Sequence, residues 1–143
     1  MWIAVLAMIG TFIALYLMLY KLGLIGTLTC SIGSCETVNT SRWARFLGLP
    51  VAAWGVVFYL DVLIVSLIGI QPMLARNPVV SWLLVGWGAV GVLFSAWLTY
   101  LELFRIHAIC IWCVTSAVIV LMIFAISVAD LRQILHTDST ASP

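Results

Sequence analysis

Four apolar stretches, three of them without a charge, constrain this chain more than any other feature. They run from Trp2 to about Tyr20, from Pro50 to about Ile70, from Val79 to Leu101 and from Ala108 to Ala129. The second contains one charge, Asp61. A helix rises ~1.5 Å per residue, so about 20 apolar residues cross the hydrocarbon of a bilayer. Each stretch is long enough, and lipid offers no water to an open backbone, so each is expected to be helical. The fold class that follows is an all-α membrane protein, a bundle of four transmembrane helices. Charged residues make up 8% of the chain and hydrophobic residues 65%. A soluble domain carries about a quarter charged residues, so this surface belongs in lipid. A net charge of +1 without a basic run excludes nucleic acid as a partner. Met1 to Tyr20 lacks the basic start of a cleavable signal, so it reads as a retained first span.

The connections are unequal. Residues 21–49 form the long first loop, 71–78 a short turn with two prolines, 102–107 a tight turn, and 130–143 a polar tail expected to fray. Within the first loop Ser41 is placed to cap a short helix ending at Gly48. Trp43, Phe46 and Leu47 would share one face of it and Arg42 and Arg45 the other, as an amphipathic segment at the headgroups. In the third span Gly91, Ser95 and Thr99 form a ladder of small residues suited to close helix packing.

Counting spans brings the cysteines together. Four crossings put both termini on one side, and the 21–49 loop and the 102–107 turn on the other. Cys30, Cys35, Cys110 and Cys113 then meet at one membrane face. Which face is contested. Lys21, Arg42, Arg45 and Arg105 lie on the cysteine side, against Arg76 and Arg132 on the other, so the charge rule favours a cytoplasmic site. Disulfide chemistry favours the oxidising exterior, and that is the expectation adopted here, with both termini in the cytoplasm.

Cys110-Ile-Trp-Cys113 is a C-x-x-C at a helix start, where orphan N–H groups favour a thiolate. Spacing of three puts both sulfurs on one helical face. Val114 follows where haem attachment requires histidine. Cys30 and Cys35 lie in a loop rich in Ser, Gly and Thr, a pair able to face a soluble partner and then the helix-held pair. Two structural disulfides, or one zinc site built from all four cysteines, use the same residues. A membrane relay must pass its electrons on, and the chain has no nucleotide, haem or flavin motif. A lipid-soluble quinone, ubiquinone or menaquinone, remains as the cofactor. It would lie below Cys113 against Ser116, Ala117 and Val120.

The stretch Cys30-SIGS-Cys35-ETVNT-Ser41-Arg42-Trp43, followed by Gly48 and Pro50, resembles the active loop of the vitamin K epoxide reductase family. Tyr100-LELFRIHAI-Cys110-IW-Cys113-VTSA resembles that family's fourth helix, especially in prokaryotic members; many of these carry a fused thioredoxin domain, which this chain is expected to lack. The resemblance implies one family-like domain over 1–143, a four-helix bundle around a quinone. It implies Cys110 and Cys113 as the active pair and Cys30 and Cys35 as the shuttle pair. Cys113 would be nearest the quinone, Cys35 would exchange with Cys110, and Cys30 would receive the partner's thiol. Ser41 matches a serine near the quinone head. The implied activity is oxidation of a separate thioredoxin-like protein that makes disulfides in exported chains, at the plasma membrane of a prokaryote. The sequence departs from the animal pattern twice. Ala117 stands where a tyrosine is expected, and Val51 or Ala52 where an asparagine is expected. Both departures favour plain quinone reduction over the alternative, quinone-epoxide reduction with another thiol donor. A structural membrane subunit stapled by two disulfides is the alternative from outside the enzymes. Asp61, Glu102 and His107 are the remaining polar candidates, for proton handling or for tuning the cysteines.

Overall fold

A computed structural model describes residues 1–30, 33–71 and 77–141. Among them, four helices are long and apolar enough to cross a membrane. These are α1 (Trp2–Lys21), α3 (Val51–Ile70), α4 (Pro78–Leu101) and α5 (Ile111–Ala141), with a short α2 (Cys35–Thr40) in the first loop. The chain is therefore an all-α four-helix membrane bundle. Helix α1 packs on α3 and α5, and α4 packs on α5 and α3, so the four close a ring. The first two pairings, α1 with α3 and α4 with α5, are the extensive ones.

Local chemistry sets the ends of the helices. Helix α1 stops at a glycine with positive φ, Gly23 at 75°. The Gly23 N–H bonds to the Tyr20 carbonyl and the Leu24 N–H to the Leu19 carbonyl, which together form a Schellman cap. Asn77 starts α4 by accepting the Val79 N–H at 3.0 Å, and Pro78 occupies the first turn, where no N–H is needed. Of the turn expected over 71–78, residues 72–76, Arg76 among them, lie outside the described residues.

Two expectations are corrected. The helix expected from Ser41 to Gly48 is instead a 3-10 turn, Arg42–Ala44, followed by a two-residue hairpin, β1 (Arg45–Phe46) with β2 (Leu49–Pro50). Leu47 and Gly48 both take positive φ, 52° and 82°. That geometry suits a tight hairpin turn and terminates any helix. Ser41 does not cap with its side chain; its hydroxyl donates back to the Val38 carbonyl at 2.8 Å. The second correction is the tail. Residues 130–141 continue α5. Ser81 donates to the Asp130 carboxylate at 3.0 Å and Leu131 is buried, so α5 stays packed past the length of a span. The hydroxyls of Thr137 and Thr140 bond back to carbonyls in the preceding turn.

The turn after α4 is tight in sequence but wide in form. Glu102–Ile106 is a π-helical turn closed by His107 in the left-handed region at φ 54°. The Ala108 N–H reaches back to the Glu102 carbonyl at 3.2 Å. This reversal delivers Cys110 to the top of α5, directly over the bundle.

Candidate active site

Cys110 is the N-cap of α5, because its carbonyl accepts the first helical bond, from the Val114 N–H at 3.0 Å. Its sulfur therefore faces the open N–H groups of the first turn. The neighbouring Cys113 thiol holds the Cys110 pKa below the ordinary thiol value. The backbone N–H groups of Cys113 and Trp112 act in the same direction, while burial and the Glu102 charge oppose them. Cys110 is 0% exposed. Cys110 and Cys113 are both free thiols.

The loop cysteines form the other pair. Cys30 and Cys35 are disulfide-bonded, with Cα atoms 6.2 Å apart. Cys35 opens α2 and is 1% exposed, whereas Cys30 is half-exposed. The loop is docked on both sides of this bond. Ahead of it, Trp112 Nε1 donates to the Thr29 carbonyl at 3.0 Å, and the Thr29 N–H donates to Tyr16 Oη at 3.1 Å. Tyr16 and Trp112 pack ring on ring at 5.4 Å. Behind it, Gly33 forms an antiparallel bridge with Cys110, and the Ser34 N–H donates to the Ile109 carbonyl at 2.9 Å. Gly33 sits at φ 95°, and a Cβ there would collide with the Ile109 carbonyl, so only glycine fits this close approach. Trp112, between the two cysteines of the C-x-x-C, is thus a strut for the loop.

Asn39 was not singled out from sequence, and it connects the two pairs. It is buried, and its Nδ2 donates to the Cys35 carbonyl at 3.0 Å and to Cys110 Sγ at 3.9 Å. Lys21 Nζ, at the end of α1, donates to the Asn39 backbone carbonyl.

Below the cysteines lies a cavity of about 490 Å³ enclosed by all four long helices. Cys113 lines it; Cys110, Cys30 and Cys35 do not. Of the residues expected near a quinone, Val51, Ser116 and Ala117 line it. Ser41 does not, its hydroxyl being turned to Val38. Phe46 of the hairpin covers the cavity edge-on to Trp54 and Phe94, with ring centroids 6.2 and 5.7 Å away. Trp54 Nε1 fixes this by donating to the Phe46 carbonyl at 3.1 Å. Trp43 also lines the cavity, with the guanidinium carbons of Arg42 and Arg105 over its ring at 5.2 and 5.9 Å. Two of the four basic residues on the cysteine side are thus engaged by one indole. Val57 of α3 and Trp87 and Val90 of α4 line the cavity and stay exposed, so its wall is thin toward lipid between these helices.

The cavity is apolar apart from a few groups. Glu102 lies at the cysteine end and Asp61 on the α3 side. Farther down, Tyr59 Oη pairs with Ser116 Oγ at 2.7 Å and also reaches the Ser116 carbonyl at 3.0 Å. Tyr59 is 1% exposed, and its ring fills the place a side chain at Gly10 would take. The phenol that the animal pattern would put at 117 is absent there, yet a phenol from α3 meets the adjacent Ser116. The ladder in α4 divides its work: Gly91 admits the Phe58 ring, while Ser95 and Thr99 line the cavity. A slot of this size and polarity, with a thiol at its lip, fits a planar quinone ring. His107 is exposed and outside the cavity. No cluster of three or more metal-binding side chains occurs among the described residues.

The sequence model of the vitamin K epoxide reductase family matches residues 1–128, a span that includes all four cysteines and the four membrane helices up to the last part of α5.

Proposed function

The chain belongs to the vitamin K epoxide reductase family and is a multi-pass membrane oxidoreductase of a family that works with quinones, and we propose that it is a quinone-dependent thiol oxidase. In this reading it takes electrons from a separate thioredoxin-like protein through Cys30 and Cys35. It passes them to Cys110 and Cys113, and so supports disulfide formation in exported proteins. One observation carries the reading. The Cys30–Cys35 disulfide is docked on the segment that bears Cys110, while Cys113, one turn on, opens into the apolar cavity.

The residues divide the work by position. Cys30, the more accessible sulfur of the loop bond, meets the partner's thiol. Cys35 leaves as the thiol and attacks the membrane pair at Cys110, with which it shares the Asn39 amide. That attack releases Cys113 as the thiolate, and the hydrogen bonds that favour a Cys110 thiolate make Cys110 a good leaving group when Cys30 then resolves the Cys35–Cys110 mixed disulfide. Val51, Ser116, Ala117 and the Tyr59 hydroxyl would hold the quinone, with Ser41 in the roof outside direct contact. A bound quinone accepts two electrons and two protons. Ala117 offers no hydroxyl to an epoxide oxygen, which keeps plain quinone reduction ahead of epoxide reduction.

The same reading puts the cysteines on the exterior of a prokaryotic plasma membrane, with both termini in the cytoplasm. The cation–π contacts of Arg42 and Arg105 lessen the weight of those charges in the opposing count. Trapping tests the whole assignment. In a Cys35→Ala chain, the mixed disulfide left on Cys30 should contain an exported thioredoxin-like protein. A cysteine placed at Asn77 that reacts with an impermeant maleimide added outside intact cells would reverse the orientation and end the oxidase reading.

A further inference from the structure

We propose that Glu102 is the acid–base group of the membrane cysteine pair, taking the proton from Cys113 Sγ and passing it into the cavity. The inference rests on the reading that Cys110 and Cys113 deliver electrons to a quinone. Glu102 is 6% exposed and lines the same cavity as Cys113. Its Oε2 accepts the Cys110 N–H at 3.3 Å, which holds the carboxyl at the Cys113 end of that cavity, where the two groups interact electrostatically. No lysine, arginine or histidine side chain is among its partners in the described residues, so nothing fixes it as a permanent anion. The π-helical turn places it there. Glu102 begins the turn and Cys110 ends the reversal, so the carboxyl lies beneath the cysteine N–H, on the cavity that Cys113 also lines. Capping one N–H does not require an ionisable group, and an acid at this depth is expensive unless its proton is used.

The chemistry has a place for that proton. Oxidising the pair breaks two S–H bonds, forms one S–S bond and releases two electrons and two protons. A quinone takes up the same numbers and becomes a hydroquinone. The Cys110 proton is released to water on the loop side, where that sulfur is held as a thiolate acceptor, and water supplies the second proton that the hydroquinone needs, so the count is kept. The Cys113 proton faces the apolar cavity. Among the described residues, the Glu102 carboxyl and Cys110 are the groups that act on it electrostatically, and the Cys110 sulfur is committed to forming the disulfide.

The test uses the full chain in lipid nanodiscs, with Glu102→Gln and Glu102→Asp. Glutamine keeps an acceptor for the Cys110 N–H and cannot carry the proton. Quinone reduction driven by a small dithiol should fall about 100-fold in Glu102→Gln, within the range for losing a general acid–base group. Aspartate should recover part of it. Independently of turnover, the pH profile of Cys113 alkylation by a small maleimide, read by mass spectrometry without quinone, should shift in Glu102→Gln. An unshifted profile, or turnover within about twofold of wild type, overturns the proposal, because a mere cap moves neither. If the glutamine variant does not accumulate in membranes, Glu102→Ala, which also lacks the carboxyl, decides: an unshifted Cys113 profile there also overturns it. A wild-type chain that reduces no quinone defeats the underlying reading instead, and the alkylation profile still judges Glu102.

Discussion

The two cysteine pairs are held in opposite ways. Cys110 and Cys113 sit on the first turn of a 31-residue helix, with their geometry set by helical spacing and their sulfurs facing N–H groups. Cys30 and Cys35 are held by a handful of bonds from a loop to its neighbours: Thr29 to Trp112 and Tyr16, and Ser34 to Ile109. Releasing the first pair means unwinding a membrane helix, whereas releasing the second means breaking a few hydrogen bonds worth about 1 kcal/mol each. A relay needs this asymmetry, since one pair must travel and the other must wait.

Removing one sulfur from each pair is the sharpest way to break the comparison. Cys113→Ala should cut quinone reduction by about 10³-fold or more, even when a small dithiol replaces the protein partner, since no other sulfur among the described residues lines the cavity. Cys30→Ala should stop turnover with the protein partner while leaving a measurable rate with a membrane-permeant dithiol. Equal loss with both donors in both variants, in a coupled assay of quinone absorbance, would erase the division of labour.

A smaller effect is expected from loosening the dock without touching a sulfur. Gly33→Val forces a branched side chain into the left-handed region and into the Ile109 carbonyl. The strain is about 1–2 kcal/mol, so the Cys30–Cys35 bond should open to a soluble reductant roughly tenfold faster. Gel-shift titration of the loop thiols measures it. An unchanged rate would mean that the bridge to Cys110 does not restrain the loop.

The smallest expected change concerns pH. The Cys110 thiol is held below its ordinary value chiefly by the Cys113 thiol, and Glu102 is the charged group that opposes. Cys113→Ala removes the larger favourable contribution, so the inflection in Cys110 alkylation against pH should move up, toward an ordinary cysteine. An unchanged inflection would show that the retained backbone N–H groups, rather than the partner thiol, set the value.

The membrane helices were legible because hydropathy accumulates along the chain, and lipid leaves no alternative to a helix. The meeting of the four cysteines at one face followed from counting. What could not be read depends on backbone geometry or on neighbours distant in sequence. Ser41 to Gly48 has a helical pattern, yet Leu47 and Gly48 adopt the left-handed region and fold it into a hairpin. The Asp130 that looked like a tail residue finds Ser81 of α4. Asn39 reads as a loop residue until α2 turns it toward Cys110. Tyr59 reads as one more apolar residue of a span, and only the packing of both α3 and α5 on α1 brings its hydroxyl to Ser116. Glu102 was visible as an acid near the C-x-x-C. Its contacts with both membrane cysteines depend on a π-helical turn for which the sequence carries no recognised signal.

Gly10 has a consequence for how α1 should be regarded. A translocon inserts a leading segment for its greasiness and flanking charges, and any generic stop of leucines would satisfy it. Assembly asks a different question. Here α1 must leave a vacancy at Gly10 for the Tyr59 ring and lend Ile13, Ala14 and Leu17 to the cavity wall. The segment obeys two grammars at once, one of delivery and one of fit. A chimera carrying a borrowed anchor would reach the bilayer in the correct orientation and still have no room for the ring on which the lower half of its cavity is built.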